Sequence, residues 1–359
     1  MGYAGGQIGC AGRFGGKTNG VERRRVIMLA SAGTALAAAG LGLELATVFG
    51  HRGPAAWKSP PAAGLSSAAA PGQLLSPFTG EPVASLGPVL AVKIDNVVQA
   101  RPPTGLTSAD IVYLLPVEGG LSRVCAVFSS RFPKVIGPVR SAREDDLELL
   151  RQFGRPGFAY SGATPHLLPF IGRARVVNLY DTPAYFRSPD RVAPHNLYAY
   201  SQPLLTEAPG ASKAHDIGFR FGPAPAGGQP QSSFSVSYPA ASFTFRWSAG
   251  QRRWLVWMDG ARSTDTTRGN LAASTVVVQD TVVRTSRFLE YGSRPPFAQS
   301  DGSGTAVVLR DGRAYQVRWS RPDPDGGTVY TLPGGTRMTF APGQVWVVFT
   351  TTNWREAGL

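Results

Sequence analysis

The chain has 359 residues, a formal net charge of +13, 43% hydrophobic residues and 16% charged residues. This length supports more than one buried core, and the apolar fraction excludes a largely disordered protein. The positive charge fits either the arginine bias of a GC-rich genome or an anionic partner such as a wall polymer, lipid headgroup or nucleic acid. Because no basic run interleaved with aromatics follows residue 60, we predict no nucleic-acid partner.

The first 76 residues are predicted to be a targeting segment followed by a tether. Within residues 1–50, Arg23-Arg24-Arg25 precedes an apolar run from Val26 to Leu43, which is typical of an export signal and loosely matches the twin-arginine form. The run is near membrane-spanning length, so a cleaved signal and an uncleaved anchor both stay open. Residues 1–20 resemble no signal, and a start at Val21 is one interpretation. Residues 51–76 are rich in Pro, Ala, Ser and Gly, which predicts a flexible, disordered tether.

Residues 77–221 are predicted to form an α/β domain with a mixed sheet, within an overall α+β or mixed α/β fold. Apolar runs of strand length predict the strands Val89–Ile94, Ile111–Leu115 and Arg123–Ser129. Ser141 followed by Glu144 predicts a capping box at a helix start.

A Pro- and Gly-rich linker is predicted at residues 222–233. After it, residues 234–350 are predicted to form a smaller antiparallel β-rich domain. Its strands are short and evenly spaced, with hairpin turns at Asp259-Gly260 and Asp311-Gly312.

Polar and arginine side chains follow the predicted strands of the first domain. The helix start near Arg140 and Arg143 favours an anion, because free backbone N–H groups point there. A second interpretation is that the arginines pair with Asp95, Asp110 or Glu118 and stabilise the fold. The candidate ligand-binding residues are Asn96, Arg101, Arg123, Arg140, Ser141, Arg143 and Asn196.

His195 is the candidate catalytic residue, with Asp95 or Glu118 as its carboxylate partner. It either caps the element that follows Pro194 or acts as a general base. The spacing of His166 and His195 matches no metal motif, and Cys125 lies in an apolar run typical of a core cysteine. Cys10 lies in the leader, which leaves a single cysteine in the folded part and predicts no disulfide. We also predict no metal and no cofactor.

The order of these motifs resembles the YerB-like lipoprotein family, a bacterial family of unknown function with N- and C-terminal parts. The motifs run from Ile94-Asp95-Asn96 through Ile136–Arg143 and His195–Tyr198 to Arg310–Arg313 and Pro342–Trp346. The resemblance implies extracytoplasmic anchoring, although this chain has no lipobox cysteine after its apolar run. The arginine-rich composition is similar to that of actinobacterial proteins.

Two functions follow from this sequence. The favoured one is an exported or membrane-anchored envelope protein that binds an anionic cell-wall component or a wall-synthesis protein through the arginine-rich sheet edge. Its membrane contact would come from the N-terminal segment alone. The alternative is an envelope hydrolase or transferase, but the chain has no Gly-x-Ser-x-Gly elbow, His-Glu-x-x-His motif or phosphate-binding loop.

Overall fold

The computed structural model describes residues 72–290 and 292–351, all of which belong to one compact unit, Ala63–Leu359. The predicted signal or anchor and residues 51–71 of the predicted tether lie outside the described residues. Of the tether, residues 72–76 are described, and Ser76 is buried with its hydroxyl accepting a hydrogen bond from Phe78 N. Within the described ranges no helix is long and apolar enough to span a membrane.

The segment before residue 207 forms eight strands and three helices among the described residues. These are β1 (Leu90–Asp95), β2 (Ile111–Pro116), β3 (Ser122–Phe128), β4 (Val135–Ile136), α1 (Glu144–Leu149), β5 (Gly157–Ala159), α2 (Leu168–Arg173), β6 (Val177–Asn178), β7 (Tyr185–Arg187), β8 (Leu197–Tyr200) and α3 (Ser201–Thr206). Single 3₁₀ turns are formed by Val98–Ala100, Leu106–Ser108, Glu118–Gly120 and Leu150–Phe153.

The segment after residue 228 forms strands alone among the described residues. These are β9 (Gln229–Pro230), β10 (Ser233–Tyr238), β11 (Ala241–Ser248), β12 (Arg253–Met258), β13 (Ala261–Arg262), β14 (Thr264–Asp265), β15 (Gly269–Asn270), β16 (Ala272–Ala273), β17 (Thr275–Asp280), β18 (Val283–Thr285), β19 (Pro296–Ala298), β20 (Gly302–Arg310), β21 (Arg313–Arg321), β22 (Val329–Thr331) and β23 (Val345–Thr350).

One mixed sheet contains strands from both segments. Its order is β22-β21-β20-β17-β23-β2-β3-β1-β5-β6, and β9 pairs with β21. Strand β23 lies parallel to both β17 and β2, and all three are apolar runs with little exposed surface, as parallel strands usually are. The division of the chain at residues 222–233 stays a prediction, although β9 of that stretch belongs to the shared sheet.

The mixed sheet is buried on both faces. On one face, Tyr113 and Val347 pack in a core with residues of α1 and α2. On the other, Leu114 and Trp346 pack with Phe245 of a second, five-stranded sheet formed by β10, β11, β12, β13 and β16. The alternation of side chains along each strand therefore separates the two cores.

The described residues are mostly strands with few helices, arranged in mixed and antiparallel sheets. The mixed sheet predicted for the first segment is present, but an α/β domain of residues 77–221 is not clearly supported. The reason is that its helices have only six residues each, while a second sheet covers the opposite face. Both predicted hairpin turns form, with positive φ at Asp259, Gly260, Asp311 and Gly312.

Candidate functional site

A cleft of about 400 Å³ lies beside the ends of the first strands. Among the described residues, its walls come from the loops after β4 and β5, from β7, β8 and the loop between them, and from one residue of the later segment, Glu290. The lining residues are Arg140, Ser141, Ser161, Gly162, Ala163, Thr164, Pro165, Arg187, Pro194, Leu197 and Glu290. Another opening of about 470 Å³, at residues 81–88 and 129–132, contains none of the candidate residues.

Asp95, His195 and Arg140 meet beside this cleft. Asp95 is the last residue of β1, and its side chain is only 2% exposed. His195 Nδ1 lies 2.8 Å from Asp95 Oδ2, and Arg140 Nε lies 3.2 Å from the same oxygen. A carboxylate in this position accepts a hydrogen bond from the Nδ1–H group of His195. The Nε2 atom of the ring is then left for another partner. Asp95, the first carboxylate predicted for His195, is therefore the one within hydrogen-bond distance.

Arg140 presents a guanidinium to the cleft. Its backbone is fixed, because its N–H donates to Lys93 O at 2.8 Å and its carbonyl accepts from Ser161 N at 3.0 Å. Its terminal nitrogens have no hydrogen-bond partner among the described residues, and its side chain is 25% exposed. Asp95 divides its charge between Arg140 and His195, so Arg140 can receive a further anion.

Arg143 and Arg101, two of the predicted ligand-binding arginines, already have carboxylate partners. Arg143 lies 2.6 Å from Glu118 and 3.3 Å from Glu290, and Arg101 lies 2.7 Å from Asp259. Although burial favours the neutral acid, Arg143 and then Arg123 hold the pKa of Glu118 below its ordinary value. The alternative interpretation named Asp95, Asp110 or Glu118 as the partners, so it covers the Arg143–Glu118 pair and the Arg140–Asp95 contact but not the pairs with Glu290 and Asp259.

Arg123 is buried behind the cleft wall. Its guanidinium donates to Ser141 O at 3.3 Å and forms no ion pair within 4 Å among the described residues. Burial, reinforced by the nearby charge of Arg143, lowers the pKa of Arg123 to about 10. The side chain therefore remains charged at neutral pH and adds positive potential behind Ser141, which lines the cleft.

The two predicted asparagines position other side chains. Asn196 accepts a hydrogen bond from Arg187 Nη1 at 2.7 Å, which orients a second guanidinium at the cleft. Asn96 donates to Ser122 Oγ at 2.9 Å and accepts from Arg101 through its backbone carbonyl at 2.6 Å. Arg187 is the last residue of β7 and lies on the cleft wall.

The capping box predicted for Ser141 and Glu144 does not form. Helix α1 begins at Glu144 with Arg143 as its N-cap, and Arg143 N donates to Asp146 Oδ2 at 2.7 Å. Its first turn carries three carboxylates, those of Glu144, Asp145 and Asp146, which would repel an anion. This helix start therefore does not favour an anion, and the guanidinium groups that line the cleft are those of Arg140 and Arg187.

The geometry is that of a polar cleft lined by two guanidinium groups and several hydroxyl-bearing residues, with an Asp–His pair beside it rather than in its lining. Among the described residues, no group of three or more His, Cys, Asp or Glu side chains lies close enough to hold a metal ion. Glu290 was not marked by any sequence motif. It comes from the later segment and reaches the cleft only through the fold.

Two family models match the chain. They are described as the N-terminal domain and the C-terminal domain of a protein of unknown function, DUF3048, and they cover residues 78–214 and 234–347. The chain therefore belongs to this family, which confirms the resemblance found from the sequence motifs.

A curated relative and a solved structure agree with this assignment. The relative is named "Putative lipoprotein YerB", from Bacillus subtilis, and is 26% identical over 307 residues, which cover 77% of this chain and 86% of the relative. The crystal structure of YerB protein from Bacillus subtilis matches with a TM-score of 0.66 and 21% identity, over 77% of this chain and 97% of that one. The two proteins share a fold.

Proposed function

We propose that this protein is an exported cell-envelope protein that binds an anionic wall component, or an acidic segment of a wall-synthesis protein, in the cleft at Arg140. The observation that carries the proposal is the guanidinium of Arg140, which lines the cleft while its terminal nitrogens have no partner among the described residues. Such a group binds carboxylate or phosphate through two parallel hydrogen bonds.

The surrounding residues support an anionic ligand. Arg187 adds a second guanidinium, and the hydroxyls of Ser141, Ser161 and Thr164 add hydrogen-bonding groups. The one acid on the cleft wall, Glu290, is 3.3 Å from Arg143, which offsets its charge.

Envelope location rests on the N-terminal sequence and on the relative. Arg23-Arg24-Arg25 and the apolar run after it would direct export, and the Bacillus relative carries a lipoprotein name. Because the apolar run is followed by no cysteine before the tether, we propose that the signal or anchor segment, rather than a lipid, makes the membrane contact.

The test is a calorimetric titration of the purified protein with inorganic phosphate and with acetate at low ionic strength. Arg140→Ala should weaken binding by about 1.5–3 kcal/mol, the scale of a hydrogen bond to a charged group. Arg173→Ala, a change at an exposed arginine outside the cleft, is the matched control and should bind as the wild type does. Absence of anion binding in the wild type, together with a large loss of thermal stability in Arg140→Ala, would assign Arg140 to fold stabilisation.

An envelope hydrolase or transferase is the second candidate, and the 2.8 Å contact between His195 Nδ1 and Asp95 Oδ2 favours it. Asp95 would orient the ring, and Nε2 would take a proton from water or a substrate hydroxyl and return it to the leaving group. His195→Gln should then abolish turnover of a cleft-bound ester while phosphate binding persists. A turnover rate unchanged in this variant would end the enzyme hypothesis.

A further inference from the structure

We propose that the ligand of this cleft is an acidic sugar unit, whose ring packs on Tyr180 while its carboxylate or phosphate binds Arg140. This inference rests on the proposed function, since it names the chemical class of the anion. It comes from an aromatic stack beside the cleft, whose outermost ring, Tyr180, belongs neither to the core nor to the cleft lining described above.

Three aromatic rings stack one on another beside the cleft. The ring centroids of Phe158 and Tyr160 lie 4.9 Å apart at 28°, and those of Tyr160 and Tyr180 lie 5.4 Å apart at 16°. The first two residues are fully buried, whereas Tyr180 is 42% exposed. The stack therefore ends in a tyrosine that is partly open to solvent.

Hydrogen bonds hold this stack in place without a ligand. Tyr160 Oη donates to Asn178 Oδ1 at 2.9 Å, and Tyr180 N donates to the same oxygen at 3.2 Å. Tyr185 Oη donates to Leu179 O at 2.7 Å, which fixes the backbone just before Tyr180. A surface fixed in this way loses little conformational freedom when it binds a ring.

Tyr180 lies against the cleft lining. A Cβ atom built on Gly162 would lie 4.0 Å from Tyr180 Cε2, and Gly162 lines the cleft at a φ of +147°. Ser161, the neighbour of Gly162, also lines the cleft, and its backbone N–H donates to Arg140 O at 3.0 Å. The ring of Tyr180 therefore lies near Gly162, while the backbone of Arg140 pairs with that of Ser161, the residue before Gly162.

An acidic sugar uses the ring, the hydroxyls and the guanidinium of this site together. The C–H face of a pyranose packs on an aromatic ring, and its hydroxyls can bond to Ser141, Ser161 and Thr164. Its acid group matches the guanidinium of Arg140. Free phosphate would use only the arginines, and a neutral sugar would use only the ring and the hydroxyls.

The test compares four probes by calorimetry on the intact protein: glucuronic acid, glucose 6-phosphate, glucose and inorganic phosphate. We expect one or both sugar acids to bind about tenfold more tightly than inorganic phosphate, which corresponds to one aromatic packing contact. Against glucose the gain should be at least about tenfold, because glucose lacks the charge-assisted hydrogen bond to Arg140. The better of the two acids identifies the carboxylate or the phosphate as the native group.

Three variants separate the contributions. Tyr180→Ala should lower sugar-acid affinity about tenfold and leave phosphate affinity unchanged, whereas Tyr180→Phe should bind as the wild type does because the ring remains. Tyr200→Ala is the matched control, since Tyr200 is 39% exposed and stacks on Phe186 at 4.7 Å without lining the cleft.

The outcomes distinguish this inference from the proposed function. If no anion binds the wild type, the proposed function fails and this inference fails with it. If phosphate binds but Tyr180→Ala changes no sugar-acid affinity, the sugar inference alone is overturned. Tighter binding of uridine monophosphate than of either sugar acid would also overturn it, because the ring would then be stacking on a base.

Discussion

Asp145 is a buried acid whose charge is poorly compensated. It is 1% exposed, and neither carboxylate oxygen has a hydrogen-bond partner at bonding distance among the described residues. Burial raises the pKa of Asp145 to about 7, with Lys93 opposing the shift and Asp146 adding to it. The folded protein therefore binds this proton more tightly than the unfolded chain, in which the pKa is about 3.9.

This raised pKa predicts a pH dependence of stability. The stability that the tighter proton binding of Asp145 contributes is fully present below about pH 4. It is lost as the pH rises through about 7. Asp145→Asn should remove that loss. The free energy of unfolding of the variant, relative to that of the wild type, should therefore rise between about pH 5 and about pH 8. Urea denaturation at several pH values in this range measures the difference.

The neighbouring acid provides the contrast for that experiment. Asp146 accepts from Lys93 Nζ at 2.5 Å and from Arg143 N at 2.7 Å, so Asp146→Asn should destabilise the protein at every pH in the range. Parallel curves of stability against pH for the wild type and Asp145→Asn would contradict the assignment of a shifted pKa to Asp145.

The Asp–His pair shows how far single residues could be predicted. Asp95 follows an apolar strand and His195 follows a proline, so each was a candidate from its local sequence. They are 100 positions apart, and only the fold brings them to 2.8 Å. Glu290 lay in a segment without a polar motif, and no local signal marked it.

Helix α1 is attached to its surroundings mainly through carboxylates. Asp146 pairs with Lys93 of β1, Glu144 accepts from Ser286 Oγ at 2.6 Å, and Glu148 accepts from Ser300 N at 2.6 Å. A helix of six residues has little stability of its own in water. These three carboxylates therefore fix its position against both segments of the chain.

Removing the cation beneath this helix should be costly. Lys93 and Asp146 are both fully buried, so Lys93→Met should lower the free energy of unfolding by about 3–5 kcal/mol, because it leaves buried carboxylates without their cation. The double variant Lys93→Met, Asp146→Leu should recover part of this loss, because it removes the unpaired buried charge but also leaves Arg143 N without its acceptor. Chemical denaturation measures each variant.

An exposed ion pair serves as the control for that measurement. Arg131 and Glu81 lie 3.4 Å apart near the surface, so Arg131→Met should cost at most about 1 kcal/mol. A loss of the same small size in Lys93→Met would show that the buried pair does not hold α1 in place.

The elements themselves were largely predictable, but their arrangement was not. Apolar runs predicted β1, β2 and β3 to within a few residues, and Asp-Gly pairs predicted two hairpins. The predicted helix start was wrong. The N-cap is Arg143, whose backbone N–H donates to Asp146 Oδ2, whereas Ser141 lies on the cleft wall. The parallel pairing of β23 with β2 had no sequence signal, because an apolar strand fits many neighbours.

At the scale of the molecule, the two family segments complete a single sheet. Strand β2 pairs with β3 on one side and with β23 on the other, so the first segment alone would have an unpaired apolar edge. It would also lose the second sheet that covers one of its cores. We therefore predict that residues 72–227 and 228–351, expressed separately, do not melt cooperatively.

The same two fragments, expressed together, should associate and recover the cooperative transition of the intact protein. A protease site inserted at Ala226-Gly227, where both residues are exposed, provides the matched control, since the cleaved chain should still elute as one species. Circular dichroism melts and size-exclusion chromatography measure these outcomes. Cooperative melting of residues 72–227 alone would show two independent domains.

The pairing of β2 with β23 also bears on how the protein is made. During synthesis, β2 emerges early, whereas its neighbour β23 is the last strand of the described chain. The centre of the sheet cannot close until nearly the whole chain has left the ribosome, and such non-local pairing is slow. The growing polypeptide therefore carries an apolar edge for most of its synthesis, when chaperones are the natural protection against aggregation.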